Sequence, residues 1–356
     1  MKPLQPSKLE SNAKTSRIPT LDGWRGIAVT LVVFDHVLYS LLQRYVEPFS
    51  GTGLHGVTIF FVISGFLITS KLIERPIDLK HFYVRRCFRL MPTAWAYLAF
   101  IFLFNWLLQR RFTSIAEVQA CLFFYRNFAW LPYGGLAVHF WSLSVEEQFY
   151  VVWPVLLLLA GARRCRWIAL VGAIGCATYR WFFWAHYDRL ILRDYTQVRA
   201  DALLVGCLMA LLLAEPSVRS AAERWSKFFA IPAFAILIFC VSRFHSMAPL
   251  YENVAIACLL TAAIIHPRWI IFRPLSCPPL AWLGTVSYSL YIWQEFFTFL
   301  PWPQDMRIIL LCLGLPMITL FSYYCIERPF TRLGHELTPT RTPATLAALV
   351  PVVDEH

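Results

Sequence analysis

Charged residues are scarce in this sequence. They make up 15% of the 356 residues, against about 25% in soluble domains, whereas 58% of the residues are hydrophobic. A soluble protein of this size could not keep so much apolar side chain away from water. The composition therefore excludes a soluble globule, a disordered chain and a disulfide scaffold. It predicts an all-α fold, a polytopic membrane helix bundle with about ten transmembrane helices.

The motifs of several soluble enzymes and cofactor-binding proteins are missing. The sequence contains no CxxC, HExxH, GxSxG or Walker A motif, and no His is followed five positions later by Asp. GxGxxG is spelled at residues 51–56, but outside any βαβ unit, so it predicts no nucleotide site. The ten Cys lie mostly in apolar stretches and are interpreted as small buried residues. We expect no metal site and no permanently bound cofactor.

The basic residues are distributed as in a membrane protein. The net charge is +11, and the Lys and Arg residues lie between long apolar runs, which indicates contact with membrane lipids and not with nucleic acid. With ten spans and a cytoplasmic N-terminus, 21 Lys and Arg residues lie inside and 9 outside. The positive-inside rule therefore predicts that both termini are cytoplasmic.

Ten apolar segments are predicted to span the membrane. They are 26–42, 56–73, 91–108, 141–160, 167–185, 200–214, 228–242, 253–267, 279–299 and 308–325. A further apolar stretch, 115–131, would invert the charge distribution of the later loops if it also crossed, so we interpret it as re-entrant or interfacial. The predicted organisation is a basic cytoplasmic segment 1–25, a membrane domain 26–333 and a flexible cytoplasmic tail 334–356.

The first span carries two ionisable residues at helical spacing. Arg25 and His36 are eleven residues apart, about three turns, so both side chains lie on one face roughly 16 Å apart. His36 lies deep in the span, where it is either an interhelical hydrogen-bond partner or a general base. We favour the base because Arg25 shares its face. Glu47 follows eleven residues later, beyond the outer helix end.

Two further charged groups lie at helical spacing. Arg86 and Arg89 form a cationic face that suits phosphate oxygens, although an ordinary membrane anchor has the same pattern. Glu146 and Glu147 lie near the predicted outer end of a span and diverge by about 100°, so at most one is expected to face the same cavity as His36. That carboxylate orients His36, binds a sugar hydroxyl, or only accepts hydrogen bonds from neighbouring Ser and Trp groups.

The sequence resembles the acyltransferase-3 family of integral membrane O-acyltransferases from about residue 18 to residue 333. The resemblance implies about ten spans and a cytoplasmic acyl-CoA donor. The family's Arg-x10-His pattern falls on Arg25 and His36, its RxxR pattern falls on Arg86 and Arg89, and Gln294 stands where many members have His. The matching blocks are LDGWRGIAV, GVTIFFVISGFLI, FYVRRCFRLMP, HFWSLSVEEQFYVVWP, RADALLVG, LGTVSYSLYIW and YYCIERPF.

The function implied by this resemblance is transfer of an acyl group, acetyl by family likeness, from acyl-CoA to a hydroxyl. The acceptor is a glycan, a lipid-linked saccharide or a secreted metabolite, and the location is the cytoplasmic (inner) membrane of a bacterium. Direct transfer and an acyl-enzyme both stay open. The expected residues are His36 and Glu147 for catalysis, Arg25, Arg86 and Arg89 for acyl-CoA, and Glu47, Trp141, Ser144, Glu146, Asp201 and Gln294 in supporting or acceptor-side positions.

The residues alone leave another class of protein open. Intramembrane His, Asp and Glu side chains are equally natural in the proton relay of a transporter or flippase that moves a glycan or lipid carrier. Transporters of this kind often consist of inverted repeats with broken helices, and the sequence has no convincing halves. The oligomeric state is not predicted.

Overall fold

The structure is a computed structural model that describes residues 18–42, 51–74, 78–109, 112–128, 135–186, 194–242, 249–300 and 302–339. Within these ranges the secondary structure consists of helices and turns, without a strand. The all-α prediction is therefore confirmed. Glu47 lies outside the described residues.

The described chain forms the following helices. They are α1 (Pro19–Leu42), α2 (Thr52–Ile73), α3 (Leu79–Leu107), α4 (Ile115–Leu122), α5 (Phe140–His186), α6 (Thr196–Leu213), α7 (Pro216–Ser242), α8 (Leu250–Ile265), α9 (Pro278–Phe299) and α10 (Gln304–Glu336). A short 3-10 helix, Arg273–Ser276, precedes α9.

Each of the ten segments predicted to span falls on one of these helices. Six helices are long and apolar enough to cross a membrane by length and composition, namely α2, α3, α5, α6, α7 and α10. Helix α8 is apolar but has only 16 residues. Helix α4 has eight residues, about 12 Å, against a hydrocarbon core of about 30 Å. It is too short to cross the membrane, as expected for the 115–131 stretch.

Helix α5 contains two of the predicted spans. Gly161 has φ 75°, a left-handed conformation that interrupts the helical path between residues 140–160 and 162–186. Glycine suits this point because it adopts positive φ without the steric cost of a Cβ. The sequence predicts a loop between the spans 141–160 and 167–185. The structure instead has a kink at Gly161, and the residues after it are already helical.

The core lies between pairs of helices, two of them distant in sequence (α1 with α9, α2 with α6) and two of them consecutive (α5 with α6, α7 with α8). Helix α1 packs along α9, α2 along α6, and α5 along α6, while α7 packs against α8. Ile59, Val62 and Leu203 are buried in the shared core of α2 and α6. Helix α7 instead exposes Phe228 and Phe234, as expected for a face that meets lipid tails.

The α2–α6 contact depends on two glycines. A Cβ at Gly65 would lie 2.0 Å from the carbonyl oxygen of Leu203, and one at Gly206 would lie 2.1 Å from that of Val62. Only hydrogen fits on either helix at this approach, which is the small-residue packing typical of membrane helices.

Alanine at either glycine is expected to separate α2 from α6. We predict that Gly65→Ala and Gly206→Ala each lower the free energy of unfolding by about 1–3 kcal/mol, the usual cost of overpacking. Thermal unfolding in detergent measures the effect. Gly175→Ala is the matched control, because a Cβ there meets no atom within 4 Å. Equal stability of all three variants would contradict the close approach.

Helix α10 changes its winding twice. It contains π-helical segments at Leu310–Gly314 and Ser322–Glu327, and its last turns pack against α3. π-Helical turns are rare and occur frequently at functional sites. Here the second one ends at Glu327, which is 6% exposed.

Candidate active site

Helices α1 and α9 hold the first functional pair of residues. The Nη2 atom of Arg25 donates a hydrogen bond to Oγ of Ser287 at 3.2 Å, and Nδ1 of His36 lies 2.7 Å from Oε1 of Gln294. The later residue of α1 contacts the later residue of α9, so the two helices run parallel. The prediction that Arg25 and His36 share one face of α1 is confirmed, since both side chains contact α9.

Arg86 lies between two carboxylates. Its Nη2 atom is 3.4 Å from Oε1 of Glu146, and its Nε atom is 3.7 Å from Oε1 of Glu147. The guanidinium also covers the ring of Tyr150, 3.6 Å from the centroid. Glu146 accepts further hydrogen bonds from the hydroxyls of Tyr150 and Ser64. The charge of Arg86 is therefore compensated within the protein.

This contact corrects the expected surroundings of the two carboxylates. The sequence places Glu146 and Glu147 near the outer end of a span and Arg86 at the inner side of the membrane, but both carboxylates contact Arg86 on α3. Across the described ranges, the side chain of His36 is bonded to Gln294 and to neither carboxylate. Helical divergence of about 100° does not separate Glu146 from Glu147 here, because one guanidinium has donors wide enough apart to reach both.

Arg25 and Arg89 are not compensated in this way. Within the part of the chain that the structure describes, neither forms an ion pair with a carboxylate. Arg89 is repelled electrostatically by Arg25 and Arg86 and attracted by Glu327. Glu327 is held in turn by a 2.7 Å hydrogen bond from Ser289 of α9. Arg25 and Arg89 are thus, among the described arginines of this region, guanidinium groups without a carboxylate at ion-pair distance.

The third arginine of the basic segment has another contact. Nε of Arg85 donates to Oγ1 of Thr338 at 2.7 Å, and Nη2 of Arg85 donates to the Thr338 carbonyl oxygen. Phe88 and Phe330 also contact each other, with ring centroids 6.5 Å apart. Arg85 therefore attaches the end of α10 to α3, and it is not available to a ligand.

A second imidazole lies near His36. Oε2 of Glu295 accepts a 3.0 Å hydrogen bond from the backbone N–H of His139 and pairs with the His139 ring. The same carboxylate interacts electrostatically with His36. Tyr291, one turn earlier on α9, donates to the carbonyl oxygen of His139 at 3.1 Å. We call His36, His139, Gln294 and Glu295 the histidine cluster.

Sequence reasoning missed three residues of this region. His139 and Glu327 are in blocks that carry the family resemblance, and Glu295 lies in an apolar helix, which is itself an indication of function. A separate buried pair, His55 and Glu252, joins α2 to α8 with 2.7 Å between Nδ1 and Oε1.

The remaining predicted residues contact the framework around the site. Asp201 accepts from Nη2 of Arg180 at 2.8 Å, joining α6 to α5. Trp141 lies under Arg199, 5.5 Å from ring centroid to guanidinium carbon. Ser144 donates to the carbonyl oxygen of Phe140 at 2.9 Å. The supporting or acceptor-side role of Asp201, Trp141 and Ser144 stays a prediction. Across the residues searched, no group of three or more His, Cys, Asp or Glu could hold a metal.

The comparison with protein families decides the class of the chain. The model described as "Acyltransferase domain" (Acyl_transf_3) matches residues 18–327. The chain belongs to this acyltransferase family. Its matched region contains the Arg25–Ser287 and His36–Gln294 contacts as well as the whole histidine cluster.

Curated relatives agree with this class. The chain is 29% identical to "Putative peptidoglycan O-acetyltransferase YrhL" of Bacillus subtilis over 89% of its own length and 55% of that protein. It is 28% identical to "Peptidoglycan O-acetyltransferase OatA" of Listeria monocytogenes, over 89% of its own length and 56% of that protein. The chain thus spans about half the length of these relatives. The comparison with solved structures gives no significant match.

Proposed function

We propose that this protein is a membrane O-acetyltransferase that moves an acetyl group from acetyl-CoA to a hydroxyl of a cell-envelope glycan. Peptidoglycan is the first acceptor to test, because the names of two similar proteins specify it. Membership of an acyltransferase family favours this function over the transporter or flippase. The observation that carries the proposal is the arrangement on α1, where Arg25 and the half-buried imidazole of His36 both contact α9.

The donor site is assigned to Arg25 and Arg89. Acetyl-CoA carries phosphate groups, and guanidinium groups without a protein carboxylate are suited to bind them. Arg86 has a different role in this proposal, since Glu146, Glu147 and Tyr150 already engage it. It positions α3 against α5, so that Arg89, one turn further along α3, points to the donor phosphates.

The proposed orientation of the protein in the membrane follows from the distribution of its Lys and Arg residues. The helix ends with Arg25, Arg86 and Arg89 lie on the cytoplasmic side in the topology that the positive-inside rule favours. Acetyl-CoA enters from that side, and the glycan approaches His36 from the outside of the cytoplasmic membrane. His36 lies about 16 Å further along α1, so the donor's pantetheine arm spans the distance between them.

The reaction proposed is direct transfer. His36 takes the proton of the acceptor hydroxyl, and that oxygen attacks the thioester carbonyl carbon. The carbon–sulfur bond breaks, the acetyl ester forms, and the CoA thiolate leaves with the proton that His36 returns. The proposed proton transfer is assigned to His36, since Glu146 and Glu147 contact Arg86 and His36 is bonded to Gln294.

The decisive experiment measures both products. The full chain in lipid nanodiscs is mixed with acetyl-CoA and a purified peptidoglycan glycan-strand oligosaccharide. We expect free CoA to appear only when the oligosaccharide is present, together with an oligosaccharide that is heavier by one acetyl group in mass spectrometry. CoA release without acetylated glycan, or no release with any envelope glycan, would overturn the proposal.

A further inference from the structure

A lysine lies on the face of α2 that meets Arg86 and its carboxylates. Oγ of Ser64 donates a hydrogen bond to Oε1 of Glu146, the oxygen that also contacts Arg86. Lys71 follows Ser64 by seven residues, about two helical turns, so its side chain leaves the same face of α2 about 10 Å further along the axis. With a cytoplasmic N-terminus α2 runs inward, which places Lys71 on the cytoplasmic side of Arg86.

The charge of Lys71 acts on the arginines of the proposed donor site. Lys71 is repelled electrostatically by Arg89, Arg86 and Arg25 and attracted by Glu74, three residues further along the chain. Helices α1, α2 and α3 therefore each bring a cation to one region at the cytoplasmic end of the bundle. Like charges so arranged create a positive potential that favours an anion with several charges.

The ammonium group of Lys71 is free to bind such an anion. Across the described ranges, Lys71 forms no ion pair with a carboxylate, and its side chain is exposed. His335, in the last turn of α10, approaches from another side and is repelled by both Lys71 and Arg89. Lys71 thus lies at the edge of the positive region, where a ligand that enters from the cytoplasm arrives first.

We propose that Lys71 binds the 3′-phosphate of acetyl-CoA, while Arg25 and Arg89 bind the diphosphate. This rests on the proposed acetyl transfer. The diphosphate adjoins the pantetheine arm, which must reach His36, so it occupies the deeper positions. The 3′-phosphate is on the ribose at the opposite end of the diphosphate, and that end stays at the cytoplasmic edge. A compact ammonium on a flexible stem binds a phosphate monoester as a point charge.

A donor that lacks only the 3′-phosphate tests this assignment. Acetyl-CoA and acetyl-3′-dephospho-CoA are each given to the full chain in phosphatidylcholine nanodiscs, with the glycan-strand oligosaccharide, and free thiol is measured. We expect Lys71→Met to raise the KM for acetyl-CoA about 10-fold, the lower end for loss of a charged hydrogen bond because Lys71 is exposed. With acetyl-3′-dephospho-CoA the KM values of wild type and variant should agree within about twofold, since neither pair can form the contact.

Lys80→Met is the matched control. Lys80 is exposed near the start of α3, at the same end of the bundle, but nine residues before Arg89, which places it on the opposite face of α3. This variant removes the same charge and should leave the KM for both donors unchanged.

A second arm distinguishes the nucleotide phosphate from a lipid headgroup. Phosphatidylcholine carries no net charge, whereas phosphatidylglycerol in the nanodisc offers an anionic headgroup to a cytoplasmic lysine. An effect of Lys71→Met that appears only with phosphatidylglycerol would assign Lys71 to the lipid and overturn the inference. An unchanged KM for acetyl-CoA, or an equal rise with both donors, would overturn it too. The proposed function would still stand, since it fails only if the wild-type protein itself transfers no acetyl group.

Discussion

Replacing His36 by alanine is expected to lower the rate of acetyl transfer about 10³- to 10⁴-fold, the upper range for loss of a general base. Nδ1 of His36 contacts Gln294, which leaves Nε2 to act as the base. His36 also lies on the face of α1 that carries Arg25. The measurement is CoA release by the His36→Ala protein in nanodiscs, normalised to folded protein.

The control for this substitution is His81→Ala. His81 lies at the start of α3 and pairs with Asp78 at the surface, so its loss should change neither kcat nor KM. His36→Ala protein that accumulates normally and retains wild-type turnover would remove His36 from the reaction. The base would then have to be sought elsewhere, with His139 as the next imidazole of the histidine cluster.

The two arginines of the RxxR pattern are expected to fail in different ways. Arg86→Met leaves Glu146 and Glu147 without their cation, and breaking such a pair typically costs about 3–5 kcal/mol. We predict a large loss of folded protein in the membrane. Arg89→Met removes a cation that Arg25 and Arg86 repel and Glu327 attracts, so folding should be affected much less than in Arg86→Met. The KM for acetyl-CoA should instead rise about 10- to 100-fold, the effect of losing one charge-assisted hydrogen bond.

A triple variant tests whether Arg86→Met loses folded protein because it leaves two carboxylates without a cation. In Arg86→Met/Glu146→Gln/Glu147→Gln no uncompensated charge remains, and folded protein should recover. Arg164→Met is the control for Arg89→Met. Arg164 is an exposed residue of α5, so its substitution should leave the KM for acetyl-CoA unchanged. Equal effects of Arg86→Met and Arg89→Met on both abundance and KM would show that the arginines are equivalent, contrary to the structure.

Several features of the fold are local and could be predicted from the sequence. Apolar runs of helical length specify the class, because a chain in lipid must satisfy its backbone hydrogen bonds within each segment. The face shared by Arg25 and His36 follows from 3.6 residues per turn alone. The short helix α4 also agrees with the interpretation of 115–131 as a stretch that does not cross.

The partners of the site residues could not be predicted in this way. His36 and Gln294 are 258 positions apart, and His139 and Glu295 are 156 apart, so no helical periodicity relates them. The sequence predicts Glu147 as a catalytic residue, either orienting His36 or binding a sugar hydroxyl, and the packing of α3 against α5 brings Arg86 to it. Whether Glu147 contributes to catalysis stays a prediction.

The sequence by itself determined that the chain is an all-α membrane protein and that one helix carries an arginine and a histidine on a common face. Both properties depend on composition and on the helical repeat, which act over a few turns. Only the tertiary structure decided which arginines are compensated by carboxylates and which amide faces the imidazole. Those contacts depend on how far apart two helices lie and how they are rotated, and side-chain packing across the whole bundle sets both.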